Sequence, residues 1–374
     1  MAIECILPQS RIDAMAAAGH WLDKLASEYL DAAVAARPDH PAYIGVNSTT
    51  GETTRHSYAE FDTLVTRIAL GLVGHGIGPG DVVSIQLPNW WQFAALHVAC
   101  VRIGAVTNPL MPIFRQRELR FMLGLNESRI IFVPHSFRAF DYPEMIADVR
   151  PDLPKLEHVF AVCGEGENSF EKKFIERRWE DELDAPAIFA ERRPGPNEVI
   201  EVLYTSGTTG EPKGVLHTAN TLHGGVELYI KRLGLGSDDV VLMASPVAHQ
   251  TGFLYGLVMP VMMQATSVLQ DVWDPHQAAQ LIAAEGVTFS MAATPFLADL
   301  TEVAAANDHD LESLHTFLCA GAPIPPALVQ RARQELGVTI ISCWGMSENG
   351  AVTTTRPEDR PEKAAETDGL PLEG

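Results

Sequence analysis

Apolar residues fall at helical spacing after Ser57-Tyr58-Ala59-Glu60, with Phe61, Leu64, Ile68 and Leu72 three or four positions apart. Ser57 and Glu60 read as a capping box, so a helix is expected over about 58–74, ended by Gly74 and Gly76. Val82 to Leu87 alternates as a strand, Asn89 is placed to cap a helix running to about Ile103, and Gly104 can close that helix before a strand at about 105–108. Arg129 to Pro134, His158 to Val162 and Val199 to Tyr204 add β-rich segments. A second series reads strand Val240 to Met243, helix 275–285, strand 287–291, helix 325–336 and strand Val338 to Ser342, which leads into Trp344. Such alternation predicts α/β layers with largely parallel sheets. Gly164 to Pro196, rich in Glu, Arg, Gly and Pro, reads as a surface excursion.

The chain has 374 residues, beyond the size at which one hydrophobic core usually keeps growing, so at least two subdomains are expected. Apolar content of 46% and charged content of 20% describe a globular chain. The longest apolar run, Phe253 to Met263, falls short of the roughly 20 residues a membrane span needs, and the N-terminus does not resemble a signal peptide. The cysteines (Cys5, Cys100, Cys163, Cys319 and Cys343) are odd in number and widely spaced, which indicates neither a disulfide framework nor a zinc site. A cytoplasmic enzyme fits best. The net charge of −21 argues against nucleic acid and acidic membranes as partners, and is explained most simply by solubility. Self-association into a homo-oligomer is left open.

One segment carries most of the functional information. Tyr204-Thr205-Ser206-Gly207-Thr208-Thr209-Gly210-Glu211-Pro212-Lys213-Gly214 combines tight-turning glycines, four hydroxyls and one lysine, which together suit the phosphates of a nucleotide. It departs from the P-loop pattern at Pro212 and Gly214, which stand where a glycine and a metal-binding hydroxyl are needed. An ordinary surface loop would share the composition but explains none of the order. The loop follows directly on a predicted strand, at the carboxyl end where open α/β sheets bind ligands.

This loop resembles the signature of the adenylate-forming superfamily of acyl-CoA synthetases, adenylation domains and beetle luciferases. Pro246-Val247-Ala248-His249, Ala320-Gly321-Ala322-Pro323 and Trp344-Gly345-Met346-Ser347-Glu348 resemble further family motifs in the expected order, as do the runs from Gly80 to Asn89 and Gly104 to Pro109. The resemblance covers roughly residue 20 to the end. It implies two layered α/β subdomains, about 50–215 and about 216–345 with 1–49, and a β-rich region opening at 346–374. It also implies that the family's β-barrel subdomain is incomplete and its small C-terminal domain absent, so that the chain is the N-terminal part of a longer enzyme.

The same resemblance implies an activity: a carboxylic acid and ATP form an acyl-adenylate, and coenzyme A displaces AMP to give a thioester. By resemblance, Thr205, Ser206, Gly207, Thr208, Thr209, Gly210 and Lys213 hold phosphate. Trp344 stacks on adenine, flanked by Gly345 and Met346, Ser347 meets the α-phosphate and Glu348 holds Mg2+. Gly321, Ala322 and Pro323 line the nucleotide and acyl pocket, and His249 sits beside the substrate carboxylate. A core tryptophan beside a solvated glutamate, a turn leading into a helix, and an isolated structural histidine are the plainer alternatives for these three motifs. His217 and His223 lack comparable support. Acetyl-specific relatives carry Trp at the position of Gly345, so glycine there implies room for a larger acid. The runs Pro88 to Phe93 and Asn108 to Leu119 are similar to ligases for cyclohexanecarboxylate and medium-chain fatty acids. Aryl-acid or amino-acid loading of a carrier protein, and a non-catalytic nucleotide-binding module, are the alternatives.

Overall fold

A computed structural model describes residues 7–205, 212–306 and 309–373. Two sheets carry the fold. The six-stranded sheet runs in spatial order Lys213–Thr218, Val199–Thr205, Val106–Pro109, Val82–Ile85, Ile130–Pro134 and His158–Val162, parallel except for its first pair. The nine-stranded sheet runs Leu370–Pro371, Gly350–Thr354, Thr339–Met346, Thr316–Ala320, Phe289–Ala292, Val240–Met243, Thr266–Gln270, Pro41–Asn47 and Glu52–Ser57. Its interior is parallel and its margins antiparallel. Glu52–Ser57 therefore belongs with the second set of strands. Gly350–Thr354 and Leu370–Pro371 extend the same sheet and do not open one of their own, because Cys343 to Met346 supplies the backbone partners for the first of them.

Alternation along the strands sorts side chains between two interiors. Tyr43, Met243 and Leu269 face a large core that also receives Val83, Ile85 and Phe132 from the six-stranded sheet. Their neighbours Ile44, Leu242 and Val268 face a second core, closed by Ala278, Ile282, Leu297 and Val329 from the helices Pro275–Glu285, Thr294–Ala305 and Pro326–Leu336. Both sheets thus share one interior.

The Tyr58–Gly74 helix begins with the expected reciprocal cap. Glu60 N donates to Ser57 Oγ at 3.3 Å, and Ser57 N donates to the Glu60 carboxylate at 2.9 Å. Asn89 departs from expectation. The helix Trp91–Arg102 starts one residue later, with Trp90 at its cap and no side-chain cap bond. Asn89 is buried instead, and its amide donates to Ser245 O at 2.9 Å and Gln270 O at 3.0 Å, while its oxygen accepts from Val247 N at 2.8 Å. A residue leaving the six-stranded sheet thereby ties down the ends of two strands in the other.

The stretch Gly164 to Pro196 is not a simple surface excursion. It holds a π-helical turn Glu171–Glu176, a 3-10 turn Trp179–Asp181 and a helix Ala185–Arg192, and it buries Phe170, Phe174 and Trp179. Phe174 and Trp179 pack on the Tyr58–Gly74 helix so closely that a β-carbon at Gly74 would lie 2.3 Å from the Trp179 ring. Its polar composition concealed three aromatic anchors.

Candidate active site

The carboxyl ends of the two sheets meet at a cavity of about 490 Å3. Thr205 ends one strand of the six-stranded sheet and Lys213 opens the next, the two standing opposite each other in register on one wall. Ser206, Gly207, Thr208, Thr209 and Gly210 lie outside the described residues. The facing wall is the hairpin of Thr339–Met346 and Gly350–Thr354, which brings Gly345, Met346, Ser347 and Glu348 to the cavity. His249, Gln250 and Thr251 form the third side with Tyr255 and Met291, and Ala320 and Gly321 complete it. Segments more than a hundred residues apart thus converge on one space.

Two expected contributions differ. Ala320-Gly321-Ala322-Pro323 lines the cavity through its first two residues only; beyond Gly321 the chain is drawn to Thr294, whose hydroxyl donates to Ala322 O and Pro323 O at 3.3 Å each. Trp344 is 45% exposed and not part of the wall, because its neighbours Cys343 and Gly345 take the cavity side of the strand. The strand bearing it is internal to the sheet, paired on both sides.

Gly345 needs to be glycine for a reason the sequence did not reveal. A β-carbon there would lie 2.2 Å from Gly350 O, across the bulge between Trp344 and Gly345. The missing side chain lets the two hairpin strands approach, independently of any space it leaves for a substrate. Tyr255 holds the same hairpin from the other side by accepting a hydrogen bond from Ala351 N at 2.8 Å.

His217, set aside on sequence, proves to be a strut of the site. Buried on the strand that begins with Lys213, it donates from Nε2 to Ser347 O at 2.7 Å, with Thr221 Oγ1 3.2 Å from Nδ1. Burial lowers its pKa, so the ring is neutral at pH 7. One imidazole thus fixes the tip of the hairpin that carries Glu348 against the strand that carries Lys213. A signal existed: His217 lies four residues after Lys213, on the same face of the strand. His249 caps the short turn Gln250–Gly252, its Nδ1 accepting from Thr251 N at 3.3 Å, and enclosure of the ring lowers its pKa as well.

Glu348 is exposed on the cavity wall, and among the described residues no group of three or more His, Cys, Asp or Glu could hold a metal alone. A hard cation at Glu348 fits only if phosphate oxygens complete its shell, which suits Mg2+ arriving with a nucleotide. Lys213 supplies the opposite charge across the same space.

Comparison with known proteins identifies the family. The family model of AMP-binding enzymes matches residues 30–374, and the chain belongs to that family. It is 30% identical over 358 residues to the medium-chain fatty-acid–CoA ligase of Escherichia coli K12, covering 95% of this chain and 61% of that protein. It is also 30% identical over 369 residues to the salicyl-AMP ligase / salicyl-S-ArCP synthetase of Mycobacterium tuberculosis, covering 98% and 63%. The chain therefore spans about three-fifths of these curated relatives. The apo structure of MbtA from Mycobacterium smegmatis superposes with a TM-score of 0.86 at 28% identity, over 98% of this chain and 65% of that one. Among the described residues no helix is long and apolar enough to cross a membrane.

Proposed function

We propose that this chain forms the nucleotide and acid site of an acyl-CoA synthetase. A carboxylate oxygen of the acid attacks the α-phosphorus of ATP, the bond to the bridging oxygen breaks, and pyrophosphate leaves. The thiol of coenzyme A then attacks the acyl carbon, AMP leaves, and the thiol proton passes to solvent. The observation that carries this proposal is the convergence of Lys213, Ser347 and Glu348 on one cavity that also contains His249.

The protein's part is alignment of two anions and stabilisation of the charge that builds on phosphorus. Lys213 and Ser347 would meet the phosphates from two walls of the cavity, and the strut from His217 ties Ser347 O to the strand that begins with Lys213. Mg2+ held by Glu348 would offset phosphate charge. The acid needs no general base, being ionised at neutral pH, so a neutral His249 serves as a hydrogen-bonding wall and not as a proton acceptor. Fatty and alicyclic acids are the favoured substrates, and the cytoplasm the favoured compartment. Activation of an aryl acid for a carrier-protein thiol is the second reading, favoured by the names of the salicylate-activating relatives.

Exchange of labelled pyrophosphate into ATP, measured with octanoate, cyclohexanecarboxylate and salicylate, tests the first step; mass spectrometry of the coenzyme A product tests the second. Acid-dependent exchange with thioester formation supports the proposal. Exchange without a coenzyme A thioester favours the carrier-protein reading, and no exchange with any acid overturns both.

A further inference from the structure

Behind the Gln250 end of the cavity lies a carboxyl group that the proposed chemistry does not use. Glu201 sits four residues before Thr205 on the same strand, about 13 Å deeper at the usual rise of a strand. It is fully buried, and among the described residues neither carboxyl oxygen has a hydrogen-bond partner. Gln250 is 3% exposed, lines the cavity, and likewise has no partner for either amide atom. Glu201 and Gln250 are near enough for the Gln250 amide to oppose the effect of burial on the carboxyl, but not in the alignment of a formed hydrogen bond. Two adjacent orphaned polar groups in a closed interior are costly unless they satisfy each other or a ligand.

The other groups around Glu201 are neutral. Thr107 and His217 flank it in register on the neighbouring strands. Behind Thr107, the Nδ1 of His97 lies 3.0 Å from Thr107 Oγ1; burial pushes His97 down to about 3 and the nearby Cys100 thiol up to about 12. Burial also lowers His217 below its ordinary 6.5 and pushes Glu201 up to about 8, opposed only by the Gln250 amide. Glu201 is therefore the group in this cluster that changes charge between pH 7 and 9.

We propose that Glu201 is a positioning residue, whose protonated carboxyl donates to the enclosed Gln250 Oε1 and so holds Gln250 in place as part of the wall against which the acid substrate packs. This rests on the acyl-adenylate site proposed above. Ionisation removes the donor and sets a carboxylate against the amide oxygen, which reverses or displaces the Gln250 amide.

The test is calorimetric titration with AMP and with octanoyl- and salicyloyl-sulfamoyl-adenosine, using wild type, Glu201→Gln and Glu201→Leu at pH 7 and pH 9, and following whichever acyl probe binds wild type more tightly. Glu201→Leu should weaken that probe about tenfold at pH 7, the effect of one lost hydrogen bond, and leave AMP within about twofold. Glu201→Gln, a neutral donor of the same shape, should restore binding. Raising the pH to 9 should weaken wild type about tenfold more than Glu201→Gln. Parallel pH responses of wild type and Glu201→Gln overturn the assignment, as does unaltered probe binding by Glu201→Leu. If Glu201→Leu does not fold, the pH comparison decides. Failure of wild type to bind AMP or either probe overturns the underlying site, and acyl probes no tighter than AMP remove the acid end of the cavity and Glu201's role with it.

Discussion

Replacing Glu201 by Gln should stabilise the protein at neutral pH, and the size of the effect follows from burial. The ordinary carboxyl value is 4.5, and in the fold it is pushed up to about 8. Because the folded-state value is the higher one, this group's contribution to stability is whole below pH 4.5 and is lost as pH rises through 8. Each pH step of one within that window is worth about 1.36 kcal/mol, so the wild type gives up about 3 kcal/mol by pH 7 and about 5 kcal/mol above pH 8. Gln has nearly the same shape and no charge to lose. Urea denaturation of wild type and Glu201→Gln at pH 4.5, 7 and 8.5 should show near-equal stabilities at the first and a gap in the variant's favour that widens at the other two. A constant difference across the three, or a wild type that gains on the variant as pH rises, would refute the claim that this carboxyl stays protonated in the fold.

Lys213→Ala should slow adenylate formation more than it weakens AMP binding, read by pyrophosphate exchange beside calorimetry; equal losses would deny Lys213 a transition-state role. His217→Ala leaves Ser347 O without its donor and should cost about 1–3 kcal/mol in unfolding free energy, with weaker binding of an acyl-adenylate analogue, whereas unaltered binding would mean that the strut does not matter to the hairpin tip. Asn89→Ala removes the tie to Ser245, Val247 and Gln270 and should cost about 2–4 kcal/mol in denaturant titrations; a loss under 1 kcal/mol would show that the contact is dispensable. Gly345→Ala should lower both the melting temperature and analogue affinity, since its β-carbon meets the backbone of Gly350; retention of both would show that the hairpin yields.

The elements that local pattern specifies are those that sequence makes legible. Ser57 and Glu60 announce their helix because the cap is made within three residues, and Pro275–Glu285 is bracketed by Asp274, whose side chain accepts from His276 N and Gln277 N, and by a left-handed Gly286. The loop from Thr205 to Lys213 could be read because its residue types match phosphate chemistry, and the motifs from Pro246 to Glu348 because they resemble those of a known family in the same order. What stayed hidden depends on distance along the chain. His217 meets Ser347 across 130 positions, and Asn89 meets Gln270 across 181. Asn89 has the composition of a helix cap, and only the second sheet turns it to another use. Gly345 invited an argument about space for a substrate, and the approach of Gly350, invisible in one dimension, supplies a second cause. Glu201 reads as an ordinary strand residue until burial on both flanks is known.

The interior common to the two sheets also determines how the molecule should melt. Since Ile85 and Phe132 share their packing with Tyr43, Met243 and Leu269, neither sheet can come apart while leaving the other's apolar face covered. Unfolding is then expected to be a single cooperative event. The cavity takes its walls from both sheets, so a compound lodged there is linked to that whole event, and its affinity appears as a shift of one transition. A plain thermal-shift screen of carboxylic acids with ATP would in that case report on the acid pocket, even where no turnover can be followed.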